Sequence, residues 1–316
     1  MAKARCKNVL VTGAGGYVGS ALVVHLAGLG HRVIGFGHGG NYAALRARVR
    51  GDLTLLTGDL TDPDALREAM KGVDAVVHSA SVTGEASCRQ DLSRAVRTIV
   101  RGTRMVVDAV RENAAERLVH LSTYGVYSTF RAREMPLAEG MELLPDDVYG
   151  ALKAEAEWEA SRVPSVILRL TNVFGVGSGI VLKRDVIGRF VTAARAGGPI
   201  TMFGDGSQGI DFVHVDDVCR VVAGVMDASR GEGSLVFNVG SGSAAPIRHL
   251  AEMVRTLARE VLGRDVSIVS QEAPPGKIWP DRWVSTERLR GMFPWCPGTT
   301  LEDGVREVML QSWSDA

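Results

Sequence analysis

Short apolar runs alternate with amphipathic stretches through the first half of the chain. The runs Val9-Leu10-Val11-Thr12, Arg32-Val33-Ile34-Gly35-Phe36, Thr54-Leu55-Leu56-Thr57, Ala75-Val76-Val77-His78, Leu118-Val119-His120-Leu121-Ser122 and Ser165-Val166-Ile167-Leu168-Arg169-Leu170 read as strands. Helical stretches separate them: Ser20 to Leu29, about Asp62 to Lys71, and about Tyr149 to Ala160. A longer one has apolar positions Leu92, Val96, Ile99, Val106 and Val110, mostly at three- and four-residue steps. Parallel neighbours need a crossover that lays a helix on the sheet, so this order predicts an α/β fold with a doubly wound parallel sheet.

From Asn172 onward the rhythm changes. Glycines and prolines become denser, and two helical stretches, about Val186 to Ala196 and Ile247 to Leu262, are separated by loops and short apolar strands. This predicts a smaller C-terminal substrate lobe, partly interleaved with the sheet and set over the C-terminal ends of its strands, where open α/β sheets bind ligands. The expected division is 1–172 for the sheet domain and 173–316 mainly for the lobe. Segments near 210–242, such as Leu235-Val236-Phe237-Asn238-Val239, are expected to return to the sheet.

The first apolar run breaks into Gly13-Ala14-Gly15-Gly16-Tyr17-Val18-Gly19 and then into a helix. Glycines at 13, 16 and 19 are what a dinucleotide site of the Rossmann type requires, because bare backbone must approach the pyrophosphate and the helix N-terminus must face it. A tight turn without ligand has the same pattern. Its place after a first strand and before a second favours the cofactor reading.

Composition narrows the partners. Across 316 residues Lys plus Arg equals Asp plus Glu at 36 each, a balance that argues against nucleic acid or an anionic membrane as the main partner. Hydrophobic residues at 46% suit a globular chain, and no apolar run approaches the roughly 18 residues that span a bilayer. The basic start, Met1 to Lys7, leads into a glycine-rich loop rather than a cleavable apolar segment, so a cytoplasmic protein is expected. Cys6, Cys88, Cys219 and Cys296 show no Cys-x-x-Cys spacing and no histidine cluster accompanies them. Reduced cysteines in or near the core, with no metal, are the expectation.

Tyr149 and Lys153 stand four residues apart, on one face of a helix. A phenol that exchanges a proton near pH 7 needs its phenolate stabilised by about 4 kcal/mol. A fixed lysine, helped by a positive nicotinamide ring, can supply that. Such a pair also occurs by chance on helix surfaces. The segment Ser122-Thr123-Tyr124-Gly125-Val126-Tyr127 adds a second element, because it ends a strand where a hydroxyl reaches the cleft.

These residues carry a resemblance to the extended short-chain dehydrogenase/reductase family, the group with the NAD-dependent sugar epimerases and dehydratases. The similar stretches are Thr12 to Gly19, Gly58-Asp59-Leu60, His78 to Ser81, Ser122 to Tyr127, Tyr149 to Lys153, Arg169 to Gly175, Gly204 to Gln208 and Asp211 to Val218. The resemblance implies Tyr149 as general acid/base, Lys153 on the nicotinamide ribose, and Thr123 on the reacting oxygen. It implies cofactor contacts from Gly13, Gly16, Tyr17, Val18, His38, Asp59, Leu60, Ser79, Ala80 and Ser81, with Asp59 and Leu60 flanking the adenine. Ser122, Thr123, Asn172, Arg189 and Arg282 are the substrate candidates. It also implies a homodimer built as a four-helix bundle from the helix starting near Leu92 and the helix bearing Tyr149.

Three departures qualify that picture. Gly37, followed by His38, stands where NAD-using members carry an acidic residue on the ribose hydroxyls, so NAD and NADP both remain open, with Arg46 or Arg48 as candidates for a 2′-phosphate. Ile210 and the stretch Pro274 to Lys277 stand where nucleotide-sugar members usually place diphosphate-binding arginines, a loss of several kcal/mol for such a ligand. Tyr124 and Gly125 replace the Asp-Glu pair of the 4,6-dehydratases, and Gly125 the glutamate of the decarboxylases. His78 reads as structural and His214 as packing between the lobes, and Trp279, Trp283, Trp295 and Trp313 read as packing near the C-terminus.

The sequence thus points to an NAD(P)-dependent enzyme that oxidises a secondary alcohol with Tyr149 as base. An epimerase working through a transient ketone is the first reading, with a sugar or nucleotide-sugar-like small molecule as substrate. Net ketoreduction or dehydrogenation, and a non-catalytic dinucleotide-binding protein, are the alternatives.

Overall fold

The computed structural model describes residues 5–128, 135–181, 185–226, 233–272 and 280–311. The first half alternates β1 (Asn8–Thr12), α1 (Tyr17–Gly28), β2 (Arg32–Gly37), α2 (Tyr42–Arg48), β3 (Leu53–Thr57), α3 (Pro63–Ala69) and β4 (Ala75–His78). Next come α4 (Glu85–Gln90), α5 (Leu92–Val96), a π turn over 97–101, α6 (Gly102–Glu112) and β5 (Arg117–Thr123). A short 3₁₀ turn over 124–126 then leads toward α7 (Val148–Ala160) and β6 (Ser165–Leu170).

Beyond Leu170 lie the short strand β7 (Asn172–Phe174), α8 (Val186–Arg195), β8 (Ile200–Phe203), β9 (Gly209–Ile210), β10 (Phe212–His214) and α9 (Val215–Met226). The chain continues through β11 (Ser234–Val239), β12 (Ala245–Pro246), α10 (Ile247–Leu262), β13 (Ile268–Gln271), α11 (Glu287–Met292) and α12 (Leu301–Leu310).

Seven parallel strands form the main sheet in the order β3-β2-β1-β4-β5-β6-β11. The order reverses between β1 and β4, which opens a crevice at their carboxyl ends. Side chains alternate along β1. Val9 and Val11 enter a core layer with α1 and α9, and Leu10 enters the opposite layer with α3 and α6. Both faces are covered, which is why the strands are apolar throughout. A second core, with Ile187, Phe190, Leu250, Val254 and Val305, joins α8, α10 and α12 beside the sheet.

The long helix differs from its expected form. Ala95 and Ile99 are buried, but Leu92 and Val96 are 50% and 42% exposed. The π turn inserts an extra residue per turn, so the face before it and the face after it point in different directions. A simple three- and four-residue rhythm cannot show that offset.

Candidate active site

A cavity of about 1390 Å³ opens at the crevice, lined from the glycine loop at one end to Asn172, Pro280 and Arg282 at the other. Single small-molecule sites run to roughly 300–1,000 Å³. The space suits two ligands side by side.

At the first end, Gly13 has φ +69°, and a Cβ there would lie 2.8 Å from the backbone of Ala80. Its N–H donates to the Phe36 carbonyl at 2.8 Å, tying the loop to β2. Gly16 caps α1 without any side-chain hydrogen bond, so the helix N-terminus faces the cavity bare. Amides and dipole there suit a pyrophosphate, and the cradle is one that side chains would fill. Val18, Ser79, Ala80, Ser81, Asp59 and Leu60 line the same region. Tyr17 lines it too, but its hydroxyl donates to the Gly175 carbonyl at 2.8 Å, which ties the glycine loop to the segment after β7. His38 is exposed and sits 3.6 Å from the Asp59 carboxylate.

Thr123, Tyr149 and Lys153 line the middle of the cavity. Asp147 caps α7 by accepting from Gly150 N at 2.8 Å, which sets the start of the helix and so the height of Tyr149. Gly150 permits α7 to rest on the 3₁₀ turn, since a Cβ there would fall 2.1 Å from the Gly125 carbonyl oxygen. Thr123 Oγ1 accepts from Gly125 N at 3.1 Å, which leaves its own proton for a ligand oxygen.

The electrostatics differ from the expected acidified phenol. Burial pushes the Tyr149 phenol up, the Cys88 and Asp147 charges add to that, and only a hydrogen bond with Ser81 acts downward. The Lys153 ammonium donates to the Leu121 carbonyl at 2.6 Å and to His120 Nε2 at 3.3 Å. Burial lowers Lys153 to about 8, against an upward pull from Glu157. The two residues expected to work as a pair are held by different partners, Tyr149 by Ser81 and Lys153 by Leu121 and His120.

A buried ion pair lies beneath. Arg169 donates bidentately to Glu157, with Nη2 to Oε2 at 2.7 Å and Nε to Oε1 at 3.0 Å. Ser122 donates to the same carboxylate, and Arg169 Nη1 also donates to Tyr127 Oη at 2.7 Å. Burial works against the Arg169 charge, but the Glu157 bonds outweigh it and its pKa is raised. His78 is neutral: Thr103 donates to the Ile99 carbonyl, so it accepts from His78 Nε2, and Nδ1 accepts from Thr12. Burial depresses it to about 3.

Several sequence expectations need correction. Ser122 borders the cavity, and its hydroxyl donates to Glu157. Arg189 is exposed on α8, opposite Ile187, Phe190 and Val191, and is not part of the cavity wall. Arg46 donates to the Leu53 carbonyl and Arg48 lies against Gly179, so neither faces the ribose corner. Asn172 lines the wall while its amide donates to Tyr124 Oη and the Asp211 carbonyl, both at 3.1 Å. Pro274 to Lys277, Trp279 and Trp313 lie outside the described residues.

Arg282 does reach the cavity. It bridges to Ile210 as a parallel neighbour, and its Nε is buried without a partner. Asp211 fixes this corner by accepting from Ser241, Gly242 and Val284. His214 joins β10 to α12, its Nε2 donating to Glu307 at 2.8 Å while Nδ1 accepts from Asp216 N. Trp295 is buried in the core, and the Trp283 carbonyl accepts from Leu137 N. Among the described residues no group of three or more His, Cys, Asp or Glu is placed to hold a metal, and no helix is long and apolar enough to cross a membrane. Sequence reasoning passed over His120, Glu157 and Arg169 as partners of the site. The four-residue step from Lys153 to Glu157 was the available signal.

A doubly wound sheet with a glycine cradle at its switch point defines the Rossmann class of nucleotide-binding folds. Within that class, the chain belongs to the NAD dependent epimerase/dehydratase family, which matches residues 9–240, and it is an enzyme of that NAD-dependent group. It is similar to the UDP-glucose 4-epimerase of Azospirillum brasilense, at 30% identity over 97% of this chain and 91% of that protein. It is also similar to the 2-alkyl-3-oxoalkanoate reductase of Stenotrophomonas maltophilia, at 27% identity over 96% of this chain and 99% of that one. Among solved structures, MoeE5 in complex with UDP-glucose and NAD superposes with a TM-score of 0.80, at 26% identity over 96% of this chain and 97% of that chain.

Proposed function

We propose that the chain is an NAD-dependent epimerase that inverts a secondary alcohol of a sugar or nucleotide-sugar-like substrate through a transient ketone. The observation that carries this is the shared wall: Thr123, Tyr149 and Lys153 border the same cavity as a bare glycine cradle. A bound nicotinamide dinucleotide supplies hydride acceptance and return at the substrate carbon. Tyr149 takes the hydroxyl proton as the carbonyl forms and returns it afterwards. Thr123 donates to the same oxygen and fixes its position, and Lys153 would hold the nicotinamide ribose. The Lys153 ammonium, on the same cavity wall, would supply the positive charge that the buried phenol needs to give up its proton. Arg282, which lines the far wall, takes the substrate's anionic group.

The dinucleotide is read as NAD rather than NADP, because Arg46 and Arg48 are both turned from the ribose corner. Leu92, Val96 and Trp158, at 50%, 42% and 60% exposure, form the apolar faces on which a second copy of the chain packs. All four cysteines are free, in keeping with the reducing cytoplasm.

Incubation with UDP-glucose and related sugar nucleotides, followed by proton NMR, is expected to show a 4-epimer with no net absorbance change at 340 nm. Tyr149→Phe is expected to cut turnover at least about hundredfold with NADH binding kept. Equal turnover in that variant removes the mechanism. Ile210, in place of a second guanidinium, favours net ketoreduction as the other reading. Stoichiometric change at 340 nm, with no dinucleotide retained on the purified protein, selects it.

A further inference from the structure

Strand β5 and helix α7 meet in register. His120 and Ser122 are two residues apart on the strand, a rise of about 6.6 Å, and Lys153 and Glu157 are four apart on the helix, about 6 Å. The two spacings match, and the pairs form as Lys153 with His120 and Glu157 with Ser122. Ser122 and Glu157 are absorbed by the ion pair with Arg169. His120 is a different matter. It is buried, and one of its ring nitrogens has no partner.

The ring's proton can be placed by counting donors. Lys153 has three N–H groups and no acceptor, so His120 Nε2 must accept and the proton sits on Nδ1. That Nδ1–H is the orphaned atom. A buried donor left unpaired is costly, and the ring bears that cost while it presents a lone pair to the ammonium. Neutrality is secured on every side. Burial, the Lys153 charge and the neighbouring His78 ring, 5.3 Å away between centroids, all hold His120 well below its ordinary value.

We propose that His120 is a positioning residue for Lys153: with the Leu121 carbonyl it takes two of the three ammonium N–H groups and leaves the third for the cleft. The inference rests on Lys153 holding the nicotinamide ribose. It adds that the grip depends on an imidazole which touches neither cofactor nor substrate. The groups around the ammonium are His120 and His78 from the sheet and Glu157 from its own helix; Glu157 supports its charge, and burial opposes it. Losing the His120 lone pair removes a hydrogen bond to the charged form and lowers the lysine further.

Two measurements on the full chain test this. Nitrogen-15 NMR of the imidazoles is expected to find His120 neutral from pH 5.5 to 9 with its proton on Nδ1; a proton on Nε2 overturns the proposal without any variant. NADH affinity, followed by fluorescence from pH 6 to 10, is expected to weaken above about 8 in the wild type as Lys153 loses its charge. His120→Phe should move that limb down by about one pH unit and weaken NADH about fivefold at pH 8, with His120→Gln restoring part of the loss. A limb that stays in place, whether affinity is unchanged or uniformly lower, overturns the role. Lys153→Met separates the two levels. Wild-type NADH binding in that variant refutes the ribose contact itself, whereas weak binding there beside a normal His120→Phe profile refutes only the part given to His120.

Discussion

Glu157→Gln keeps the shape of the side chain and removes its charge. In the native chain the carboxylate and the Arg169 guanidinium are each 5% exposed and joined bidentately, with Ser122 on the same acid and Tyr127 on the same base. The variant strands a buried cation whose desolvation is no longer offset. Breaking one side of such a pair costs about 3–5 kcal/mol. Unfolding entropy of roughly 2.1 cal/mol/K per residue makes 1 kcal/mol worth about 1.5 °C in a chain of 316 residues. The expected fall in Tm is therefore about 5–7 °C by calorimetry. Lys153 also loses the charge that supports it and drops below about 8, so NADH binding should weaken at a lower pH than in the wild type. The double variant Glu157→Met with Arg169→Met, which leaves no stranded charge, should lose less than the two single changes added together. A Tm within a degree of wild type for Glu157→Gln would refute the reasoning, as would strict additivity.

Other outcomes follow from the same geometry. His78 titrates near 3 when folded and near 6.5 when unfolded, so the unfolded chain binds the extra proton between those values. Stability is full above about pH 6.5 and falls as pH drops toward 3; the fall in urea midpoint between pH 7 and 5 should be smaller in His78→Gln. Gly37→Asp has room, its Cβ lying 3.4 Å from Tyr42 Oη, and the new carboxylate should weaken NADPH at least tenfold while sparing NADH. An unchanged ratio in fluorescence titration would place the ribose elsewhere. Light scattering should give twice the chain mass for the wild type and the single mass for Leu92→Asp with Trp158→Asp, whose side chains are exposed and apolar.

The parts of the fold legible in the sequence are those fixed by local geometry. Strands covered on both faces must be apolar throughout, and position 13 must be glycine because a Cβ there would fall 2.8 Å from the Ala80 backbone. The four-residue step from Tyr149 to Lys153 likewise places both on one helix face. What could not be read depends on contacts between distant segments. Arg282 reaches Ile210 through a bridge spanning more than seventy residues, and nothing local marks it. The partners of Lys153 come from a strand some thirty residues earlier. Arg189 is different. Ile187, Phe190, Val191 and Ala194 recur at helical spacing and leave position 189 on the outer side, so its direction was available in the pattern.

The π turn at 97–101 carries a consequence for how this chain tolerates change. Each residue of a helix advances the winding by about 100°, so one surplus residue acts as a phase shifter between two otherwise rigid screws. Upstream, Leu92 and Val96 look outward; downstream, Val106 and Val110 pack in the core layer against the sheet, and Thr98 within the turn lines the cavity. Deleting a single residue there would leave every remaining side chain chemically intact and rotate the outer thread against the inner one, so the apolar ridge and the nucleotide groove would fall out of step together.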